Sequence, residues 1–163
     1  MVETKELTSL SKTDQYKGLI KDLFELMQGE SDFVANAANF VAMLYHNLSD
    51  VNWAGLYLYK GGKLILGPFQ GKPACTKIEV GKGVCGTAAE KMKTIVVKNV
   101  HEFPGYITCD GDTNSEIVVP LIREGHLIAV LDLNSQTLDR FDENDKAGLE
   151  ILGEVFIKSF SLK

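Results

Sequence analysis

Trp53-Ala54-Gly55-Leu56-Tyr57-Leu58-Tyr59 is followed by Lys60, by the pair Gly61-Gly62, and then by Lys63-Leu64-Ile65-Leu66-Gly67-Pro68-Phe69. Two aromatic and aliphatic runs around a Gly-Gly pair predict an antiparallel β-hairpin. A second pair lies downstream, from Glu116 to Leu121, a turn at Arg123-Glu124-Gly125, and Leu127 to Leu133. Thr94 to Val97 reads as a shorter strand and Gly83 to Met92 as a short helix. Upstream, Tyr16, Leu19, Ile20, Leu23, Phe24 and Met27 recur at three- and four-residue steps, the period of a helix with one buried face. Gly29 is expected to stop it. Ser31 is the expected N-cap of a second helix carrying Phe33, Val34, Ala37, Ala38, Val41, Leu44, Tyr45 and Leu48. Asp142 can cap a last helix whose Leu149, Leu152, Val155, Phe156 and Phe160 make one stripe. This order predicts an α+β fold with a central, mostly antiparallel sheet flanked by N- and C-terminal helices.

The composition narrows the function. The chain has 163 residues, which predicts a single domain over 1–163. Its net charge of −5 argues against a general nucleic-acid backbone binder, which would carry a basic stripe. No run of 18 apolar residues exists to cross a membrane. Met1-Val2-Glu3-Thr4-Lys5-Glu6 has no apolar core, so no signal peptide is expected and the cytoplasm is the expected location. The three cysteines, Cys75, Cys85 and Cys109, are too few and too odd in number for a disulfide framework.

Gly81-Lys82-Gly83-Val84-Cys85-Gly86 spells G-x-G-x-x-G, but it follows a hairpin rather than the first strand of a βαβ unit. It reads better as a tight turn whose glycines let the backbone approach a ligand or another strand. No C-x-x-C or H-x-x-x-H pair exists, so spacing gives no reason to expect a metal, and His46, His101 and His126 read as solvated or capped. All three thiols lie in turn-rich connections, where function concentrates. A helix N-terminus lowers a thiol pKa, so local reasoning favours Cys85 as the thiolate. Residues 127 to 134 are apolar on both faces, which predicts a central strand and a partly buried Asp132, with Glu116 opening the neighbouring strand. The competing reading has Asp132 merely ending the strand. Trp53 and Tyr57 face the same side, as core aromatics or as walls of a pocket.

Several blocks, in one order and including all three cysteines, resemble the free methionine-(R)-sulfoxide reductases, small GAF-domain enzymes. They are Asn52-Trp53-Ala54-Gly55, the stretch from Leu66 to Cys75, the stretch from Gly81 to Ala88, Ser115-Glu116-Ile117-Val118-Val119-Pro120-Leu121 and Val130-Leu131-Asp132. The resemblance implies reduction of free L-methionine-(R)-sulfoxide through a cysteine sulfenic acid and an intramolecular disulfide, recycled by a thioredoxin-type reductant. It implies no bound cofactor, and a homodimer. By position it implies Cys109 as nucleophile, Cys75 as resolving thiol and Cys85 as an auxiliary or alternative thiol, which conflicts with the local argument for Cys85. Glu116 and Asp132 would bind the substrate ammonium or protonate the sulfoxide oxygen, and Trp53 and Tyr57 would enclose the methyl-sulfinyl end. Where the family pattern has Asp-x-Asp, this chain reads Asp132-Leu133-Asn134, and Asn134 carries no charge. Asn134 is then expected only to orient substrate. The alternative is a non-catalytic GAF module that binds a small molecule or senses redox state. Sensor GAF domains usually sit beside an output domain, for which 163 residues leave no room.

Overall fold

The computed structural model describes residues 10–160; the Met1–Glu6 segment lies outside them. Two helices open the chain, α1 (Lys12–Leu26) and α2 (Phe33–Asn47). A hairpin follows, β1 (Trp53–Lys60) and β2 (Lys63–Gln70), then the short β3 (Lys77–Glu79) and α3 (Gly83–Lys91). After β4 (Ile95–Val97) and a 3-10 turn at Val100–Glu102 come β5 (Ser115–Arg123), β6 (His126–Ser135) and α4 (Glu143–Ile157). The six strands form one antiparallel sheet in the order β3-β2-β1-β6-β5-β4. The α+β expectation is met, with helices on both faces of the sheet.

Period-two alternation divides the sheet's side chains between two cores. Ala54, Leu56, Ile117, Val119, Leu131 and Leu133 point to a large core shared with α1, α2 and α4. There Phe40 stacks on Phe156 at 4.9 Å, and Phe33 meets Phe160 edge-on at 4.7 Å. Each such side chain, fully buried, contributes about 1.5–3 kcal/mol. The opposite face turns Trp53, Tyr57, Val118 and Val130 toward α3 and the loops beyond it. This second core is smaller, and it holds the polar residues singled out in the sequence.

Several local readings change. Asp32, not Ser31, caps α2, its carboxylate accepting from the Ala35 amide at 2.9 Å. Phe24 and Val34 are exposed although they fit the helical stripes. β3 went unread because three residues, two of them charged, carry no periodicity. In β6 the alternation fails at its start: Leu121 pairs with Ala129 and Ile122 with Leu127, leaving Ile128 as an extra residue. That bulge turns Ile128 toward the large core and Leu127 toward the small one.

The helices are tied together by one buried acid. Asp145 accepts from Tyr16 Oη at 2.8 Å, Lys12 Nζ at 2.7 Å, Arg140 Nη1 at 3.2 Å and the Asp142 amide at 2.9 Å. Asp142 in turn caps α4 as expected, completing a reciprocal capping box with Asp145. Gly148 makes the α1–α4 contact feasible, since a Cβ there would collide with the Tyr16 ring.

Candidate active site

The small-core face assembles its functional side chains from register. Glu116 on β5 stands opposite Asn134 on β6, while Asp132 lies between Gly55 of β1 and Val118 of β5. Trp53 stands opposite Asn134 on the other side. Gly55 carries no side chain for a reason of space: a Cβ would strike the Trp53 indole and Phe69. The indole therefore lies over Gly55, stacked on Phe69 at 5.4 Å and on Tyr57 at 6.0 Å. Its Nε1 donates to the Lys72 carbonyl at 3.0 Å, and Tyr57 Oη donates to the Cys75 carbonyl at 2.9 Å. Both aromatics thus serve as core and as cavity wall, and both hold the loop that carries Cys75.

That loop is joined to the one carrying Cys109. Cys75 and Cys109 form a disulfide across a sequence separation of 34, with their Cα atoms 5.3 Å apart. Beside it, Lys72 pairs with Asp112 at 2.5 Å. The glycine motif brings in the third thiol. Gly81 and Gly83 have φ of +87° and +62°, which other residues rarely adopt. The Gly81 amide bonds the Gly86 carbonyl at 2.8 Å, and a Cβ on Gly86 would strike the Glu79 carbonyl. The glycines thus pack the start of α3 against β3, strand approach rather than a dinucleotide cradle. Cys85, third residue of α3, is delivered into the core.

Its environment reverses the local expectation. Cys85 is buried, and its Sγ lies 3.9 Å from Glu116 Oε1. Burial, then the adjacent Asp132 and Glu116, push the Cys85 thiol well up, outweighing any effect of the helix N-terminus. The acids shift the same way. Burial and the neighbouring Asp132 raise Glu116 well above the usual carboxylate range, and burial raises Asp132. Each is only 5% exposed. Among the described residues no Lys, Arg or His pairs with either, and Asp132 Oδ1 has no hydrogen-bond partner. Asp132 therefore does not simply end a strand. Burial, then Asp132, also raises the Tyr57 hydroxyl.

These groups surround one cavity of about 40 Å³, lined by Trp53, Tyr57, Cys85, Cys109, Glu116, Asp132 and Asn134. The sequence-derived candidates converge there, with the Cys75 carbonyl held by the Tyr57 wall. The thiol in contact with Glu116 is Cys85; Cys109 shares the cavity from the loop side. Lys82, Tyr106 and Thr113 also line it and were missed by sequence reasoning. Their one sequence signal was proximity to Cys85 or Cys109. Spacing also missed a feature of Cys85, Glu116 and Asp132: their ligand atoms lie within 4.8 Å of one another although they come from α3, β5 and β6.

Comparison with known proteins places this arrangement. Residues 32–157 match the GAF domain family. The chain is 48% identical to a free methionine-R-sulfoxide reductase of Escherichia coli over 143 residues, covering 88% of this chain and 87% of that protein. It is 40% identical to the Saccharomyces cerevisiae enzyme of the same name, covering 96% and 91%. The X-ray structure of free methionine-R-sulfoxide reductase from Neisseria meningitidis in complex with its substrate superposes with a TM-score of 0.92 at 38% identity, covering 98% and 95%. No described helix is long and apolar enough to cross a membrane. The GAF sheet, the two bridged loops and the agreement over nearly the whole length lead to one conclusion: the chain belongs to the GAF-domain family of free methionine-R-sulfoxide reductases, which are oxidoreductases.

Proposed function

We propose that this chain reduces free L-methionine-(R)-sulfoxide to L-methionine with Cys109 as the nucleophile. The observation that carries the reading is the Cys75–Cys109 disulfide, one half of which lines the cavity that holds the buried acid pair. In the reduced enzyme the Cys109 thiolate attacks the sulfoxide sulfur. The oxygen passes to Cys109 as a sulfenic acid, so the substrate sulfur gains two electrons and the Cys109 sulfur loses two. The Cys75 thiol then condenses with the sulfenic acid, releasing water and forming the disulfide. An external dithiol of thioredoxin type reduces it by exchange, and no bound cofactor is needed.

The acids supply the proton. Burial and Asp132 keep Glu116 protonated, so it can protonate the oxygen as its bond to sulfur weakens. Asp132, with Oδ1 open, accepts from a substrate donor; an ammonium is the donor that a free amino acid carries and a peptide-bound residue lacks. Trp53 and Tyr57 enclose the methyl-sulfinyl end, and Asn134 orients substrate by hydrogen bonding. Cys85, raised by burial and its acidic neighbours, fits an auxiliary thiol better than an attacking one. The reading places the enzyme in the cytoplasm, as one GAF domain and as a homodimer.

The test is turnover of free L-methionine-(R)-sulfoxide with dithiothreitol, read as methionine formed. Wild type should turn over and Cys109→Ser should not. Equal activity in that variant overturns the assignment of the nucleophile. Mass spectrometry of Cys75→Ser after one equivalent of substrate should place the added oxygen on Cys109, and an oxygen on Cys85 would reverse the roles. Peptide-bound sulfoxide should be a poor substrate.

A further inference from the structure

Cys85 Sγ, a Glu116 oxygen and an Asp132 oxygen lie within 4.8 Å of one another, all three residues buried, with Sγ 3.9 Å from Glu116 Oε1. A tetrahedral zinc ion with Zn–S of about 2.3 Å and Zn–O of about 2.1 Å holds its sulfur and oxygen about 3.6 Å apart. The observed separation is a few tenths of an ångström from that geometry. A second, independent feature points to a ligand: Asp132 Oδ1 is buried with no partner, and Asp132 lines the adjoining cavity. That cavity, at about 40 Å³, has room for a water in a fourth position. A thiolate with two carboxylates supplies three negative charges, and the sulfur selects a soft dication over Mg²⁺ or Ca²⁺.

We propose that Cys85, Glu116 and Asp132 form a binding site for a thiophilic divalent cation of the Zn²⁺ and Cd²⁺ class, and that its occupation excludes substrate. Binding displaces the protons of Cys85 and Glu116 to solvent, because the thiolate and the carboxylate are the ligating forms. The cation would sit on both acids used for the sulfoxide and block them. Cys85 lies outside the Cys75–Cys109 disulfide, so the site persists in the oxidised protein. The site stands on this geometry; the inhibition rests on the reductase reading above.

The experiment titrates disulfide-intact protein, in which Cys85 is the single thiol, with Cd²⁺ and follows thiolate-to-cadmium charge-transfer absorbance. The expected result is one equivalent bound, no band in Cys85→Ala, and Kd at least tenfold weaker in Glu116→Gln and in Asp132→Asn. Free L-methionine should compete, and excess Mg²⁺ should not. Circular dichroism confirms that each variant is folded, and the two carboxamide variants keep side-chain size. No band in wild type overturns the site, as does a band whose affinity is unchanged in both carboxamide variants. Turnover of the sulfoxide without a Cd²⁺ band sinks the cation site and leaves the reductase reading standing. A band without turnover does the reverse.

Discussion

Two groups of buried carboxylates sit on opposite faces of the sheet, and they are treated in opposite ways. Asp145, 1% exposed, receives hydrogen bonds from Tyr16, Lys12, Arg140 and the Asp142 amide. Glu116 and Asp132, each 5% exposed, have only each other and a long contact from the Cys85 thiol, and Asp132 Oδ1 has no partner. Removing a carboxylate from water is costly in both places. On the helical face that cost is offset by two cations and a hydroxyl, and the result is a fixed α1–α4 junction. On the cavity face it is left standing as raised pKa values and open hydrogen-bonding capacity, which substrate can use. Satisfied burial holds the fold together; unsatisfied burial marks the chemistry.

The sharpest way to break this contrast is to neutralise one acid of the unsatisfied pair. Glu116→Gln keeps the shape and removes the proposed proton donor, so kcat/KM should fall by about 10²–10⁴-fold. Stability at neutral pH should not fall, because the substitution relieves an uncompensated buried acid. Unfolding in urea beside steady-state kinetics tests both halves. A variant that keeps full activity, or that unfolds more easily, would place Glu116 with Asp145 as a structural acid.

The opposite change tests the other face. Asp145→Ala removes the acceptor that Tyr16, Lys12 and Arg140 share, leaving the Arg140 guanidinium without it at a side-chain exposure of 9%. Lys12 is partly solvated and contributes less. The expected loss is about 3 kcal/mol, or roughly 10 °C in Tm for a chain of this size. Activity per folded molecule should hardly change at a temperature where the variant is folded. A large loss of kcat with unchanged Tm would dissolve the distinction.

Proton linkage gives the two faces opposite signs. Glu116 holds its proton in the folded state above the unfolded pKa of about 4.3, so its contribution to stability is fully present below that value. It is lost as pH rises through the raised folded pKa. At Asp142, burial pushes the pKa up but Lys12 and the Asp145 amide outweigh it, leaving it at about 2. Its contribution is present above the unfolded value of about 3.9 and lost as pH falls through about 2. Stability measured against pH should therefore lose part of its decline above pH 4.3 in Glu116→Gln, the share carried by Asp132 remaining, and part of its acid decline in Asp142→Asn. An undiminished slope above pH 4.3 in Glu116→Gln would mean that another group carries it.

The same division separates what could be read in the chain from what could not. Alternation around Gly61-Gly62 and the cap at Asp142 are local signals, and both elements formed where those signals stand. The convergence of Glu116, Asp132, Trp53 and Tyr57 was legible because strand period fixes the face of each side chain. The environment of Cys85 was not. Its position at the start of a helix is local, but what reverses its expected pKa is not: burial first, then the acids 31 and 47 residues away on β5 and β6. The Asp145 junction was illegible for the same reason: Tyr16 and Lys12 reach it from the far end of the chain. The Ile128 bulge was hidden because a run apolar on both faces shows no break when its alternation slips by one.

Asn134 offers the finest test of the contrast, since it stands where a third acid would join the unsatisfied pair. It faces Glu116 across β5–β6 and Trp53 across β1–β6, and it lines the cavity. A carboxylate there would add one more negative charge beside two acids that already titrate high. Repulsion would raise Glu116 further while supplying one extra charge for an ammonium. These effects oppose one another in kcat/KM: a tighter-held proton is a weaker acid, and a more negative pocket binds a cation better. Asn134→Asp should therefore change kcat/KM by less than about tenfold, on the order of 1.4 kcal/mol, with KM falling more than kcat. A hundredfold gain would show that Glu116 and Asp132 alone do not carry enough charge for the site, and that Asn134 limits this enzyme rather than merely orienting its substrate.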